Sequence, residues 1–292
     1  KIASEPIRCL SGVVVTKQAH LTMPLLYALL EAGVPISYMD FRGRVLDVLD
    51  GKRVSLERLF RQKKVMENPE EQLRLVRTVV CRKILSQRQM DKEYSYREKE
   101  LQATAVVEQL AAYAHSAERM ESIEALRGME GIASRTYFSA FPCLLDGVDW
   151  QWPGREQHPA HEPVNALLNY GYAFLEREVR VALAGSGLDC RLGFFHANNG
   201  RKDSLAYDMM EPYRHDVLDR FILQLLRVRV LSRDDFVQEK GCRLSLAARK
   251  SWAAHYEAYM EKPLARCGGL SPRGMMRREI ESFGKRILRE EG

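Results

Sequence analysis

The sequence predicts an α+β fold, with a small β-rich domain over residues 1–55 followed by a large all-α domain over residues 56–292. Three observations lead there. Short apolar runs of strand type are confined to the first 50 residues. Helical periodicity takes over beyond Asp50-Gly51 and continues to the end. No internal repeat divides the helical part.

Val13–Val15 is the first strand. Thr22 followed by Pro24 starts a helix through Leu25–Ala32, and Gly33 ends it. Ile36–Met39 reads as a second strand. Arg42-Gly43-Arg44 reads as a tight turn into a third, Val45–Leu49. Three strands and one helix are too few for an independent sheet domain, so further strands are expected upstream. Asn68-Pro69 with Glu70-Glu71 is a helix start, after which Leu73, Val76, Val80, Ile84 and Leu85 repeat at helical spacing. Further helices are expected at about 98–114, 117–127, 129–141, 164–184, 212–227, 233–238, 244–260 and 272–289. Residues 146–163, with Trp150, Trp152, Pro153, Gly154 and Pro159, read as a long loop.

Apolar residues make up 46% of the chain and charged residues 29%, which excludes a disordered, collagenous or purely coiled-coil protein. Lys and Arg number 45 against 39 acidic residues; the net charge of +6 suits a polyanionic partner. No run of about 18 apolar residues exists to span a membrane, and no signal-peptide pattern opens the chain. The six cysteines include no C-x-x-C pair, so a zinc finger or redox pair is not expected. Reduced thiols in a cytoplasmic protein are.

Two segments place acids where acids are costly. On a helix over Met129–Phe141, Glu130 falls on one largely apolar face with Ala133, Ser134, Tyr137, Phe138 and Phe141. A carboxylate there costs several kcal/mol unless it is paired, hydrogen-bonded or metal-bound. A helix-start acid, or a partner of Arg127 or Arg135, would satisfy it as well as a metal. In the second segment His196 ends an aromatic run, and Asp208 and Glu211 follow, three residues apart, on one helical face with His215. Pro212 either kinks that helix or starts a new one with Glu211 near its cap. Glu130, His196, Asp208 and Glu211 together form a nitrogen-plus-carboxylate set suited to Mg²⁺ or Mn²⁺, with the imidazole favouring Mn²⁺.

Four blocks closely resemble the CRISPR-associated endonuclease and spacer integrase family, Cas1. They are EGIASRTYF (Glu130–Phe138), PVNALLNYGYAFL (Pro163–Leu175), GLDCRLGFFH (Gly187–His196) and SLAYDMMEPYR (Ser204–Arg214), in the family's order and spacing. GCRLS (Gly241–Ser245) fits its C-terminal part. The resemblance covers nearly the whole chain and implies an N-terminal β domain and a C-terminal α domain. It implies that Glu130, His196 and Glu211 are catalytic and bind the metal, with Asp208 in support. The implied reaction joins the 3′-hydroxyl of a short DNA fragment to a CRISPR repeat by transesterification, or cuts DNA with water as nucleophile. The implied partners are double-stranded DNA (fragment and repeat), a second copy in a homodimer, and the small protein Cas2, in the prokaryotic cytoplasm. Family members carry further strands before the point where this chain starts, and some are fused to an upstream nuclease or reverse transcriptase. Cys190 stands where proline is common and Ser86 where asparagine is common.

Arg135, one turn past Glu130, Arg201 and Lys202 on the loop after His196, and Arg214 are the expected DNA contacts; Arg220, Arg273, Arg277 and Arg278 are further ones. Tyr137, Tyr170 and Tyr172 read as core residues, and His158 and His161 as surface histidines, not a second metal site. A non-catalytic helical DNA-binding scaffold would explain the charge but not Glu130. A nucleotide-cofactor enzyme lacks its phosphate motif after the first strand. A catalytically silent relative is at odds with the intact metal set.

Overall fold

A computed structural model describes residues 4–10, 12–40, 45–49, 55–98, 101–145, 148–156, 159–198 and 203–289. The turn expected at 42–44, Arg201, Lys202 and His158 lie outside the described residues. The α+β class holds: a strand region near the N-terminus is followed by a predominantly helical chain. The chain forms two compact units, Lys1–Asn68 with Ala173–Met209 and Met276–Gly292, and Pro69–Tyr172 with Met210–Met275.

In the first unit β1 (Val13–Thr16) pairs in parallel with β2 (Ile36–Met39) through the crossover helix α1 (Met23–Glu31). β3 (Val45–Leu49) returns antiparallel to β2, with a bulge at Tyr38/Met39. Thr22 precedes α1 in extended conformation, Pro24 sits in its first turn, and Gly33 closes it at φ +65°. Val15, Leu29, Val34 and Ile36 bury the sheet against this helix. α2 (Leu56–Met66) is capped by Ser55, whose Oγ accepts from Arg58 N at 3.2 Å. From α2 the buried Gln62 ties down the chain approaching His196. Its Nε2 donates to Asp189 O (2.9 Å) and Leu192 O (3.0 Å), and its Oε1 accepts from Asp189 N (2.8 Å).

In the second unit α3 (Pro69–Glu98) packs against α4 (Leu101–Ala117) and α5 (Ile123–Leu144), burying Leu75, Val76, Val80 and Ile84. α5 is one helix, where the sequence reading has two breaking near Gly128. A helical glycine costs only about 1 kcal/mol, and the helix buries Leu126 before it and Ala133, Tyr137, Phe141 and Leu144 after it, with Met129 and Glu130 half-buried between. α6 (Pro163–Ser186) begins on Glu162, whose carboxylate accepts from the backbone of Val164 (2.8 Å) and Asn165 (2.6 Å). α7 (Ser204–Met210), which belongs to the first unit up to Met209, precedes the irregular segment of the candidate site, and α8 (Arg220–Arg227), in the second, follows it.

The expected helix over 233–238 is not one. Arg233–Asp235 makes a single 3₁₀ turn, and β4 (Phe236–Gln238) pairs antiparallel with β5 (Cys242–Leu244). Lys240 (φ +50°) and Gly241 (φ +114°) turn the chain between these strands. α9 (Leu246–Glu261) and α10 (Pro272–Ile287) complete the fold, with Trp252 and Tyr256 of α9 stacked 4.9 Å apart beside Phe221.

Candidate metal centre

Glu130 lies two turns inside α5, which begins at Ile123 behind the N-cap Ser122, so it is not a helix-start acid. Its carboxylate makes a close ion pair with Lys83 of α3, and Oε1 accepts from Ser134 Oγ at 3.1 Å. Glu211 reaches the same ammonium from a different segment: its Oε2 is 2.6 Å from Lys83 Nζ. Pro212 explains that segment. It has no N–H to continue α7, and its ring clashes with the carbonyl four residues back. α7 therefore ends at Met210, Glu211–Tyr213 tightens to a 3₁₀ turn, and Arg214–Asp219 widens to a π-helical stretch. Glu211 itself is buried and also accepts from Arg214 Nε at 3.0 Å. Two carboxylates thus converge on one buried cation.

His196 and Asp208 form a second arrangement, in the first unit. Asp208 is fully buried, yet its carboxylate is well supplied with donors. Oδ2 accepts from Phe194 N (2.7 Å) and Phe195 N (3.0 Å), and Oδ1 from His196 N (2.9 Å) and His196 Nδ1 (2.6 Å). Nδ1 is thereby the protonated nitrogen, which leaves Nε2 as a lone-pair donor. This is the orientation that a carboxylate gives to a metal-ligating histidine. Gly193 makes the cradle possible: a Cβ there would lie 2.5 Å from Asp208 Oδ2, 2.7 Å from Ser204 C and 2.8 Å from Leu205 N. Two of those atoms are backbone and cannot swing aside. Gly193→Ala is expected to cost about 1–3 kcal/mol of stability and to loosen His196, which chemical denaturation and the histidine NMR spectrum would report.

Among the described residues no group of three or more His, Cys, Asp or Glu side chains could hold a metal ion; Lys83 takes the position between Glu130 and Glu211. Arg135 is exposed on α5. Arg214 is mostly buried, engaged with Glu211 and stacked 4.7 Å over the Tyr172 ring. Tyr137 is wholly buried, and both Tyr137 and Tyr172 donate to Asp219 at 3.0 Å. Tyr170 packs edge-on against Trp252. His161 is exposed, 3.5 Å from Glu156.

Sequence reasoning missed Lys83. The signal is present, because Val76, Val80, Lys83, Gln87 and Asp91 share one helical face on which Val76 and Val80 are core residues. It also missed Arg155, which explains the two asparagines of NALLNYGY. Arg155 donates to Asn165 Oδ1 (2.9 Å) and Asn169 Oδ1 (2.7 Å), while Asn165 Nδ2 donates to Gly154 O (2.7 Å), so α6 anchors the preceding loop. Trp152 in that loop packs on Phe138 and Phe141 and donates to Phe138 O at 3.1 Å, closing over the helix that carries Glu130.

Residues 1–258 match the family described as CRISPR associated protein Cas1. A Cas4 exonuclease/Cas1 endonuclease fusion of Geobacter sulfurreducens is 33% identical over 263 residues, covering 86% of this chain and 47% of the relative. The chain therefore spans about half the length of that relative. The structure of a Cas1 protein from Thermotoga maritima superposes with a TM-score of 0.80 at 21% identity, covering 98% of this chain and 89% of that one. A Cas6-RT-Cas1–Cas2 complex gives 0.80 at 24% identity, covering 95% of this chain and 31% of that one. At these identities the solved structures show a shared fold; it is the match over residues 1–258 of 292 that establishes that the chain belongs to the Cas1 family.

Proposed function

We propose that this chain is a metal-dependent DNA endonuclease and integrase of CRISPR adaptation, which joins the 3′-hydroxyl ends of short DNA fragments to the CRISPR repeat. The observation that supports this best is the convergence of Glu130 and Glu211, from separate segments, on the one buried ammonium of Lys83. Two carboxylates around a single positive charge form a donor set into which a divalent cation fits, with Lys83 as its stand-in. Glu130, Glu211 and His196 are the proposed ligands, and two hard oxygens with one imidazole suit Mg²⁺ or Mn²⁺. When bound, such a cation offsets the charge that develops on the phosphodiester and lowers the pKa of the attacking hydroxyl or water.

The chain's own residues do the rest. Asp208 holds His196 by Nδ1, which fixes the tautomer and leaves Nε2 as the nitrogen that would donate to a cation. Ser134 and Arg214 each hold one oxygen of Glu130 and Glu211. Arg135, Arg201 and Lys202 are the proposed phosphate contacts, whereas Arg214 serves Glu211 first. In joining, the 3′-oxygen bonds to phosphorus as the bond to the leaving 3′-oxygen breaks. One phosphodiester replaces another, and no outside energy source is consumed. With water in place of the hydroxyl the same displacement cuts the strand. The proposed partners are the DNA fragment, the CRISPR repeat, a second copy of the chain and Cas2. No helix among the described residues is long and apolar enough to cross a membrane.

A strand-transfer assay tests the reading. A duplex ending in 3′-hydroxyls is mixed with a supercoiled plasmid carrying a repeat, with and without Cas2, in Mg²⁺, Mn²⁺ or EDTA. Joining that needs metal and is lost in Glu130→Ala is the expected result. DNA binding without cutting or joining in any metal would replace the enzyme by a scaffold. Lys83→Met tests the stand-in separately. It leaves the buried Glu211 and the partly buried Glu130 around an empty charge position, so it is expected to lose about 2–4 kcal/mol of stability in EDTA. Added Mn²⁺ should recover most of that loss. Thermal unfolding with and without Mn²⁺ measures it, and equal metal stabilisation of wild type and variant would contradict the stand-in.

A further inference from the structure

Behind the Glu130 carboxylate, in the same unit, runs a chain of buried polar groups that the proposed chemistry does not use. Asp219, at its far end, is fully buried and accepts three hydrogen bonds: Tyr137 OH and His215 Nδ1 on Oδ2 (3.0 and 2.8 Å) and Tyr172 OH on Oδ1 (3.0 Å). Burial, with the charge of Asp219 adding to it, pushes both phenols well above their ordinary range, so they stay protonated donors. His215 is buried beside Asp219, and burial holds its imidazolium down despite that carboxylate. Its single proton therefore sits on Nδ1, facing Asp219, and Nε2 is an acceptor.

Gln87 of α3 meets that acceptor. Its Nε2 lies 3.0 Å from His215 Nε2, and its other N–H is directed to Ser134 Oγ at 3.4 Å. Ser134 in turn donates to Glu130 Oε1 at 3.1 Å. Every donor and acceptor along this line has one consistent assignment. The amide holds that orientation although its buried Oε1 has no hydrogen-bond partner among the described residues. A buried glutamine that leaves its carbonyl unsatisfied while both N–H groups are engaged is placed by what those N–H groups do. The backbone agrees: His215 and Asp219 both sit on the π-helical stretch Arg214–Asp219, a rare conformation that is frequent at functional sites.

We propose that Gln87 and His215 are positioning residues for Glu130, holding the Ser134 hydroxyl on Oε1, the oxygen that also meets Lys83, so that the carboxylate is fixed in orientation at the cation position. The proposal rests on Glu130 being a metal ligand, as the proposed function has it. The side chains that supply a metal ligand with oriented hydrogen bonds typically carry 10- to 100-fold in metal affinity.

The test is Mn²⁺ binding to the purified protein, read by the EPR signal of free Mn²⁺, with no DNA present. Gln87→Leu and Ser134→Ala are each expected to weaken binding about 10- to 100-fold, and Ser134→Thr, which keeps the hydroxyl, recovers what Ser134→Ala loses. Because Gln87 acts through Ser134, the double variant should bind no worse than Ser134→Ala alone. Gln87→Asn, which withdraws the amide from Ser134 but keeps it polar, serves if Gln87→Leu does not fold. Additive losses, or a Gln87 variant that binds Mn²⁺ like wild type, would overturn the positioning role. A wild type whose Mn²⁺ binding is indifferent to Glu130→Ala would instead remove the metal reading, and the positioning role with it.

Discussion

Glu211→Ala is expected to abolish metal-dependent cutting and joining, with a loss of about 10³-fold or more. The side chain has no redundancy: Oε2 faces the cation position occupied by Lys83 and Oε1 is held by Arg214. Removing it leaves the site with a single carboxylate and two mostly buried cations without their shared anion. Such an uncompensated pair costs about 3–5 kcal/mol in stability, so the alanine variant confounds folding with chemistry. Glu211→Gln separates them. It keeps the size and an acceptor for Arg214 but carries no charge toward the metal. The activity loss should persist in Glu211→Gln while the far-ultraviolet circular dichroism stays that of wild type. Retained joining in Glu211→Gln would strike Glu211 from the metal ligands.

Asp91→Asn is expected to remove a large part of the pH dependence of stability. Asp91 is buried on α3, and burial pushes its carboxyl from 3.8 up to about 8. The folded state therefore holds a proton that the unfolded chain, titrating near 4, gives up. The folded state binds more protons than the unfolded state between about pH 4 and pH 8, so the contribution of Asp91 is fully present below pH 4 and lost as pH rises toward 8. At about 1.4 kcal/mol per pH unit, the loss amounts to as much as about 6 kcal/mol. Urea unfolding at pH 5 and pH 8 checks it: wild type should weaken markedly at the higher pH, and Asp91→Asn much less. An equal drop in both proteins would assign the titration elsewhere.

Much of the candidate site was legible from residue positions because its acids break a local rule. Glu130 stands on the stripe that includes Ala133, Tyr137 and Phe141, and a carboxylate on an apolar stripe announces a partner. Pro212 likewise announced an interruption, since a missing N–H acts within one turn of the chain. What Glu130 pairs with was not legible. Lys83 is 47 residues away, and only the packing of α3 on α5 brings the two together. Gln87 was hidden for the same reason. Its amide has a meaning only against Ser134 and His215, which lie on other elements.

The α+β class, the order of strands and helices near the N-terminus, the long helical part and the unusual acids are all readable from the chain alone. Each of these rests on spacings of two to four residues, the range over which backbone hydrogen bonds and side-chain periodicity act. Tertiary structure decided the rest. It carried α5 through Gly128, since burial of the helix on both sides of that glycine outweighs about 1 kcal/mol of glycine propensity. It turned residues 236–244 into a hairpin, because three-residue strands are too short to show a period. It drew Glu130 and Glu211 onto one ammonium, because a buried charge must find its partner wherever packing has put one.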